Sequence, residues 1–282
     1  MKSLLAMKAA VLSLLLLSGC TVKLQQQHFI RPDQPVTQQW LTEQQQGQTL
    51  HAYQVTTGDG EVLHGKLIRH PDARFTMIYF GGNLFDSGRD SLSVVKALGQ
   101  FQNNILMLDY RGYNGNGGKP DVTNLASDGV AIYDAVVADA SLGQKPVLLH
   151  GFSLGSVVAA HVAGQRPAKA LVLQGSLTNV SEMANARVPL LMRPFVSFEI
   201  AKELQQVDNK AVLARIRTPV LICVGADDSE TRPVMSEDLF AVSASPIKQL
   251  YIARDAGHGN LFAAAEAVAE YKTFLARAMT GS

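Results

Sequence analysis

The sequence predicts an α/β fold: a mostly parallel, doubly wound sheet with an antiparallel N-terminal hairpin and a short cap over one edge. Three observations carry this. Short, mostly apolar runs recur at about 75–80, 104–109, 146–150, 170–174, 219–224 and 247–252, as strands buried on both faces read. Helical stretches fit between them at about 88–101, 123–141, 154–165 and 260–278, and right-handed crossovers of that kind place helices on both sides of a sheet. Ahead of them, Leu50 to Thr57 and Val62 to Arg69 alternate in polarity around Gly58-Asp59-Gly60, the pattern of a hairpin.

Taken in chain order, the N-terminus comes first. Lys2 and Lys8 precede the apolar run Ala9 to Leu17, which is too short for a comfortable membrane span. The run ends in Leu17-Ser18-Gly19-Cys20, which resembles the bacterial lipobox. That resemblance implies a lipoprotein signal peptide over residues 1–19, acylation of Cys20, and a protein tethered to a membrane of the bacterial cell envelope without spanning it. Thr21 stands where an aspartate would signal inner-membrane retention, so the expected location is the outer membrane, facing the periplasm.

Residues 20–48 form the expected lipidated N-terminus and a Gln-rich linker. Gln25-Gln26-Gln27, Gln44-Gln45-Gln46, Pro32 and Pro35 read as a spacer, with a helical piece around Trp40. Residues 49–282 make the main domain. Within it 176–214 break the strand–helix rhythm, offer two short helices and no convincing strand, and are expected to cap the carboxyl edge of the sheet. Composition supports one large core or two modest ones: the 282 residues are 47% hydrophobic and 17% charged. A net charge of +1 argues against a nucleic-acid partner. With Cys20 acylated, Cys223 has no disulfide partner, and its apolar surroundings assign it to packing.

The chemistry lies around Ser153. Leu148-Leu149-His150 ends a strand, Gly151-Phe152-Ser153-Leu154-Gly155 follows, and Ser156, Ala159, Ala160, Ala163 and Gly164 then give a helix with a small-residue face. This is the context of a nucleophile elbow, in which glycines permit a sharp turn that exposes the serine hydroxyl. A serine needs a base and a group that orients the base. Of the seven histidines, only His258 sits in a strand-to-helix loop late enough for the chain order Ser, Asp, His. The acid should follow the strand at 219–224, where Asp227 and Asp228 both stand, and pattern alone leaves the two nearly even. Donors for a developing oxyanion are expected from the backbone N–H of Leu154 and from the Gly81-Gly82-Asn83 loop, at Asn83 or alternatively Gly82.

Five segments together resemble the α/β-hydrolase superfamily, in its branch of small, minimally capped esterase- or peptidase-like proteins: Tyr79-Phe80-Gly81-Gly82-Asn83, Leu108-Asp109-Tyr110-Arg111-Gly112-Tyr113, the elbow itself, Gly225-Ala226-Asp227-Asp228 and Ala256-Gly257-His258. The resemblance covers about residues 50–278 and implies the α/β-hydrolase fold, a Ser153–Asp228–His258 triad, and hydrolysis of a small-molecule ester, thioester or acyl substrate with no cofactor and no metal. Its Gly-x-x-Asp pattern maps the acid onto Asp228. A serine peptidase or amidase, and a non-catalytic lipoprotein module, are the alternatives. The chain departs from its relatives at Gly81, where they carry histidine, at Ser156, and in the polar Ser229-Glu230-Thr231-Arg232 after the acid. Arg111 is expected to pin its own loop, and Tyr113 to Gly118 to form a flexible loop without a phosphate-binding ending.

Overall fold

The computed structural model describes residues 20–32 and 47–280. The expected signal segment 1–19 and the helical piece around Trp40 lie outside the described residues. The main sheet has eight strands, β2 (Thr49–Thr56), β3 (Val62–Arg69), β4 (Phe75–Phe80), β5 (Asn103–Leu108), β6 (Val147–Phe152), β7 (Ala170–Gln174), β9 (Val220–Gly225) and β10 (Lys248–Ala253), in the order β10-β9-β7-β6-β4-β5-β3-β2. Pairs from β5 to β10 are parallel, whereas β3 runs antiparallel to both β2 and β5. The predicted mostly parallel sheet with an antiparallel N-terminal hairpin is therefore the observed one.

Side-chain alternation along these strands feeds two cores. Ile78, Leu149, Leu171 and Ile222 face helices α2 (Val122–Ala138), α3 (Leu154–Gln165) and α6 (Pro233–Val242). Met77, Leu148, Val172 and Leu221 face α1 (Ser91–Leu98) and α7 (Ala265–Thr280). Strands clothed on both faces explain the mostly apolar runs of the sequence. The small residues of α3 do what their size suggests: Ser156, Ala159, Ala160 and Ala163 are buried, and Gly129 of α2 lies so near Val158 that a Cβ there would come within 2.5 Å of it. Helix boundaries differ from expectation where side chains capture the backbone. The expected helix 88–101 begins only at Ser91, because Ser87 is held by Asp109, and it gives way at Gln102, whose φ is 55°.

Two expectations need correction. The 176–214 interval, read as lacking a strand, contains α4 (Val180–Arg187), a 3-10 turn (Leu190–Phe195), a strand β8 (Val196–Ile200) and α5 (Asn209–Leu213). The segment after Cys20, read as spacer, forms strand β1 (Cys20–Leu24) paired in parallel with β8. Its continuation is also anchored: Ile30 is buried in the core, and the Gln26 side-chain carbonyl accepts from the Val122 N–H at 2.7 Å. Polar residues Thr21, Lys23, Ser197 and Glu199 on one face of the ribbon mask its strand character. They pair with each other, Thr21 with Ser197 at 2.9 Å and Lys23 with Glu199 at 3.4 Å.

Arg111 behaves as a structural fork. Its guanidinium is buried and bonds Asp128 twice, at 2.7 and 2.6 Å, and Asp59 twice, at 2.7 and 3.0 Å. Burial pushes the Asp128 carboxyl up, against the opposing pull of Arg111. Removing the guanidinium strands a buried carboxylate, so Arg111→Met should destabilise the fold by about 3–5 kcal/mol. Thermal unfolding checks this: Tm should fall by roughly 10 °C, and an unchanged Tm would show that the fork contributes nothing.

Candidate active site

Because β4, β6, β9 and β10 are parallel, the loops that leave them emerge at one edge of the sheet. Asn83, Ser153, Asp228 and His258 each follow one of these strands, so four distant segments converge. The turn at Ser153 is strained, with φ 53° and ψ −116°. It is possible because its flanking positions lack side chains: a Cβ on Gly155 would stand 2.0 Å from the Phe80 carbonyl oxygen, and one on Gly151 2.3 Å from that of Gly155. Backbone bonds fix the turn further. The Ser153 N–H donates to the Gln174 carbonyl at 2.9 Å, and the Ser156 hydroxyl donates to the Ser153 carbonyl at 2.6 Å. The unusual serine at 156 therefore braces the elbow.

Ser153 Oγ lies 2.9 Å from His258 Nε2, and His258 Nδ1 lies 2.7 Å from Asp228 Oδ2. Asp228 is buried, and its other contacts come from its own loop: Oδ1 accepts from the N–H groups of Glu230 and Thr231, at 2.9 and 2.8 Å, while Oδ2 accepts from the Thr231 hydroxyl at 2.9 Å. Burial raises the Asp228 pKa, but the bonds from His258 and Thr231 outweigh it and hold the carboxyl below its usual range. Asp227 is exposed, with its N–H on the Ala256 carbonyl. The structure thus brings Ser153, His258 and Asp228 together and leaves Asp227 outside.

Thr231 is a site residue that the sequence reading passed over. Its hydroxyl lies between Asp228 Oδ2 and His258 Nδ1, 3.3 Å from the latter. The Asp-x-x-Thr spacing is the available signal, since aspartate so placed accepts from N–H groups two and three residues on. His150, just before the elbow, is buried between Tyr271 Oη and Gln174 Oε1 at 3.2 and 3.1 Å. Burial lowers its pKa to about 4, so it is a neutral core histidine.

The Gly81-Gly82-Asn83 loop folds over the nucleophile. A Cβ on Gly82 would stand 3.1 Å from the Phe152 ring and 3.6 Å from Ser153 Cβ. In place of a histidine at 81, tyrosines support this loop: Tyr110 Oη donates to the Gly81 carbonyl at 2.7 Å, and Tyr113 Oη donates to Asn83 Oδ1 at 2.7 Å. Arg31 of the N-terminal segment adds its N–H to Asn83 Oδ1 at 3.0 Å. Leu154 opens α3, where first-turn N–H groups have no intrahelical acceptor. The segment Tyr113 to Gly118, expected to be flexible, is instead cross-braced. Asn114 Nδ2 donates to Phe85 O and Asp109 Oδ1, and Asn116 Nδ2 donates to Asp109 O at 2.7 Å, because the two amide side chains reach back into the loop after β5.

Ser153 and His258 stand where two cavities meet. A wide cleft of about 830 Å³ is walled by Tyr79, Phe85, Phe152, Phe262, Arg31 and Lys96 among others. A narrow cavity of about 130 Å³ runs beneath the cap, lined by Phe29, Leu177, Val180, Met183, Leu204 and Val207. Within the cap, the apolar segment Leu190–Phe195 neither lines this cavity nor packs on the domain, and is exposed. Among the described residues no group of three or more His, Cys, Asp and Glu side chains is disposed to hold a metal ion, and no helix is long and apolar enough to cross a membrane.

No family model matches the chain. An uncharacterized protein of Mycobacterium tuberculosis is 30% identical over 209 residues, covering 73% of this chain and 71% of its own length. Alpha/beta hydrolase domain-containing protein 17B of Homo sapiens is 24% identical over 226 residues, 79% of this chain and 74% of that protein. Among solved structures, the Pyrococcus furiosus esterase Pf2001 superposes with a TM-score of 0.66 at 19% identity, covering 81% of this chain and 92% of that one. The acetyl xylan esterase from Paenibacillus sp. R4 gives 0.65 at 14% identity, with 84% and 86% covered. The chain therefore has the α/β-hydrolase fold that these esterases share.

Proposed function

We propose that the protein is a serine hydrolase that cleaves carboxylic esters or thioesters through an acyl-serine intermediate. One observation carries the reading: the continuous hydrogen-bonded line from Ser153 Oγ through His258 to Asp228, open to a cleft on one side and an apolar cavity on the other. His258 Nε2 takes the Ser153 proton as Oγ attacks the substrate carbonyl, then gives it to the leaving group. In the second half-reaction it activates water. The N–H groups of Leu154 and Asn83 face the developing oxyanion, with Gly82 as the close-packed hinge of that loop. Asp228 holds the imidazole with Nδ1 protonated and stabilises the imidazolium. The reaction requires neither cofactor nor metal.

The two cavities divide the substrate. The narrow apolar one takes the acyl chain, and the wide one, with Arg31 and Lys96 on its wall, takes a larger and more polar leaving group. Hydrolysis of p-nitrophenyl esters of increasing chain length, beside peptide amides, tests this. kcat/KM should rise by about fourfold per added methylene until the cavity is full and then fall, and Met183→Trp should move the optimum to a shorter chain. Amide cleavage with inert esters would make the enzyme a peptidase. We also propose that Cys20 is acylated after removal of residues 1–19, which places the enzyme on a cell-envelope membrane, the outer one, facing the periplasm.

A further inference from the structure

The β1–β8 ribbon ends in an apolar tip. Cys20 pairs with Val196 and Leu24 with Ile200. Leu24 and Ile200 pack on the cap's own core with Leu177, Val180 and Leu204, so the ribbon is rooted at that end, and Cys20 and Val196 occupy the other. Directly before Val196, the 3-10 turn exposes Leu190 by 73%, Leu191 by 86%, Met192 by 50% and Phe195 by 40%. Pro189 and Pro194 are exposed beside them. Contiguous apolar exposure of this kind marks an interaction surface.

We propose that this tip is a membrane-docking surface: Leu190, Leu191, Met192 and Phe195 enter the bilayer that holds the acyl chains of Cys20. The proposal rests on the reading of Cys20 as the lipidated residue. Its own support is the register. Paired strands lie about 4.8 Å apart, so chains leaving Cys20 enter lipid within one strand spacing of Val196, and the residues just before Val196 are held at the same surface. The one charge among them, Arg193, has the long stem and cationic head that suit a lipid phosphate at an interface. Lys23 and Glu199, farther along the ribbon, neutralise each other. Helix α4 ends at Arg187, just before the tip, and also walls the narrow cavity with Val180 and Met183. The surface that meets the membrane and the cavity that takes the acyl chain therefore share one element.

A fluorescent reporter tests it on the full chain, produced with its signal segment and reconstituted into phosphatidylethanolamine–phosphatidylglycerol vesicles. Leu191→Cys carries an environment-sensitive nitrobenzoxadiazole label. Cys20 is consumed by acylation and Cys223 is buried, so the new thiol reacts alone, and at so exposed a site it does not disturb folding. Emission should rise by about threefold on reconstitution, as for a side chain that passes from water into the acyl boundary, and spin-labelled lipids should quench it. The same label on Thr273→Cys of α7 should respond to neither. A label at 191 as aqueous as that at 273, on protein whose Cys20 is shown by mass to be acylated, overturns the docking surface and leaves the anchor standing. An unacylated Cys20 overturns both. Emission that rises with protein concentration before vesicles are added would assign the tip to a second copy of the chain and also overturn the proposal.

Discussion

Ser153→Ala is expected to abolish labelling by a fluorophosphonate and to lower kcat/KM on an ester substrate by about 10⁵- to 10⁶-fold, the scale on which a catalytic serine fails. The substitution removes one oxygen and leaves Cβ in place, so the strained turn, the bond of the Ser153 N–H to Gln174 and the Ser156 brace all persist. Loss of activity without loss of fold is the signature to seek, with Tm held within a degree or two. Cys223 offers no substitute thiol, since it is buried in β9, where burial pushes its thiol up. Folded Ser153→Ala protein that retains near-normal ester turnover would refute the mechanism.

Asp228→Asn should cost about 10⁴-fold in kcat, whereas Asp227→Asn should leave the rate within about twofold, as surface changes away from the chemistry do. An asparagine at 228 still accepts from the N–H groups of Glu230 and Thr231. It then presents an amide N–H to His258 Nδ1 and favours the tautomer whose Nε2 carries a proton, which cannot receive that of Ser153. Asp227 is exposed and has no such reach. Steady-state kinetics of the two variants decide the matter, and the opposite order would move the acid to Asp227. A linked effect appears in stability. Folding holds the Asp228 carboxyl below its ordinary value of 3.8, so its contribution is complete above that pH and is lost as pH falls through the lower folded value. Asp228→Asn should flatten this acid limb.

The fold was legible because a parallel sheet clothed on both faces writes its strands as mostly apolar runs, as β4 to β7 and β9 do, while β10 at the sheet's edge keeps Lys248 and Gln249 half-buried. Ser153, Asp228 and His258 stood out because each follows such a run, and parallel strands bring those exits to one edge. The choice between Asp227 and Asp228 was illegible from the pattern of the residues alone. It depends on which carboxylate the loop turns inward, and that is set by the bonds of Asp228 to Glu230 and Thr231. The support of the Gly82-Asn83 loop was hidden for another reason: it comes from Tyr110, Tyr113 and Arg31, which meet it only in three dimensions. The β1–β8 ribbon is the extreme case. Its two strands are far apart in sequence, short, and polar on one face, so neither carries a periodic signal of its own.

That ribbon also sets the domain's reach. A flexible spacer over residues 21–48 would have acted as a leash, letting the domain wander roughly 30 Å from its anchor point. A strand that starts at Cys20 and zips at once onto the cap is a rivet. Under the proposed acylation of Cys20, the mouth of the cleft would keep a fixed height and tilt above the lipid, so substrates in or on that membrane would reach the level of Ser153, while those fastened to a distant layer would stay out of range.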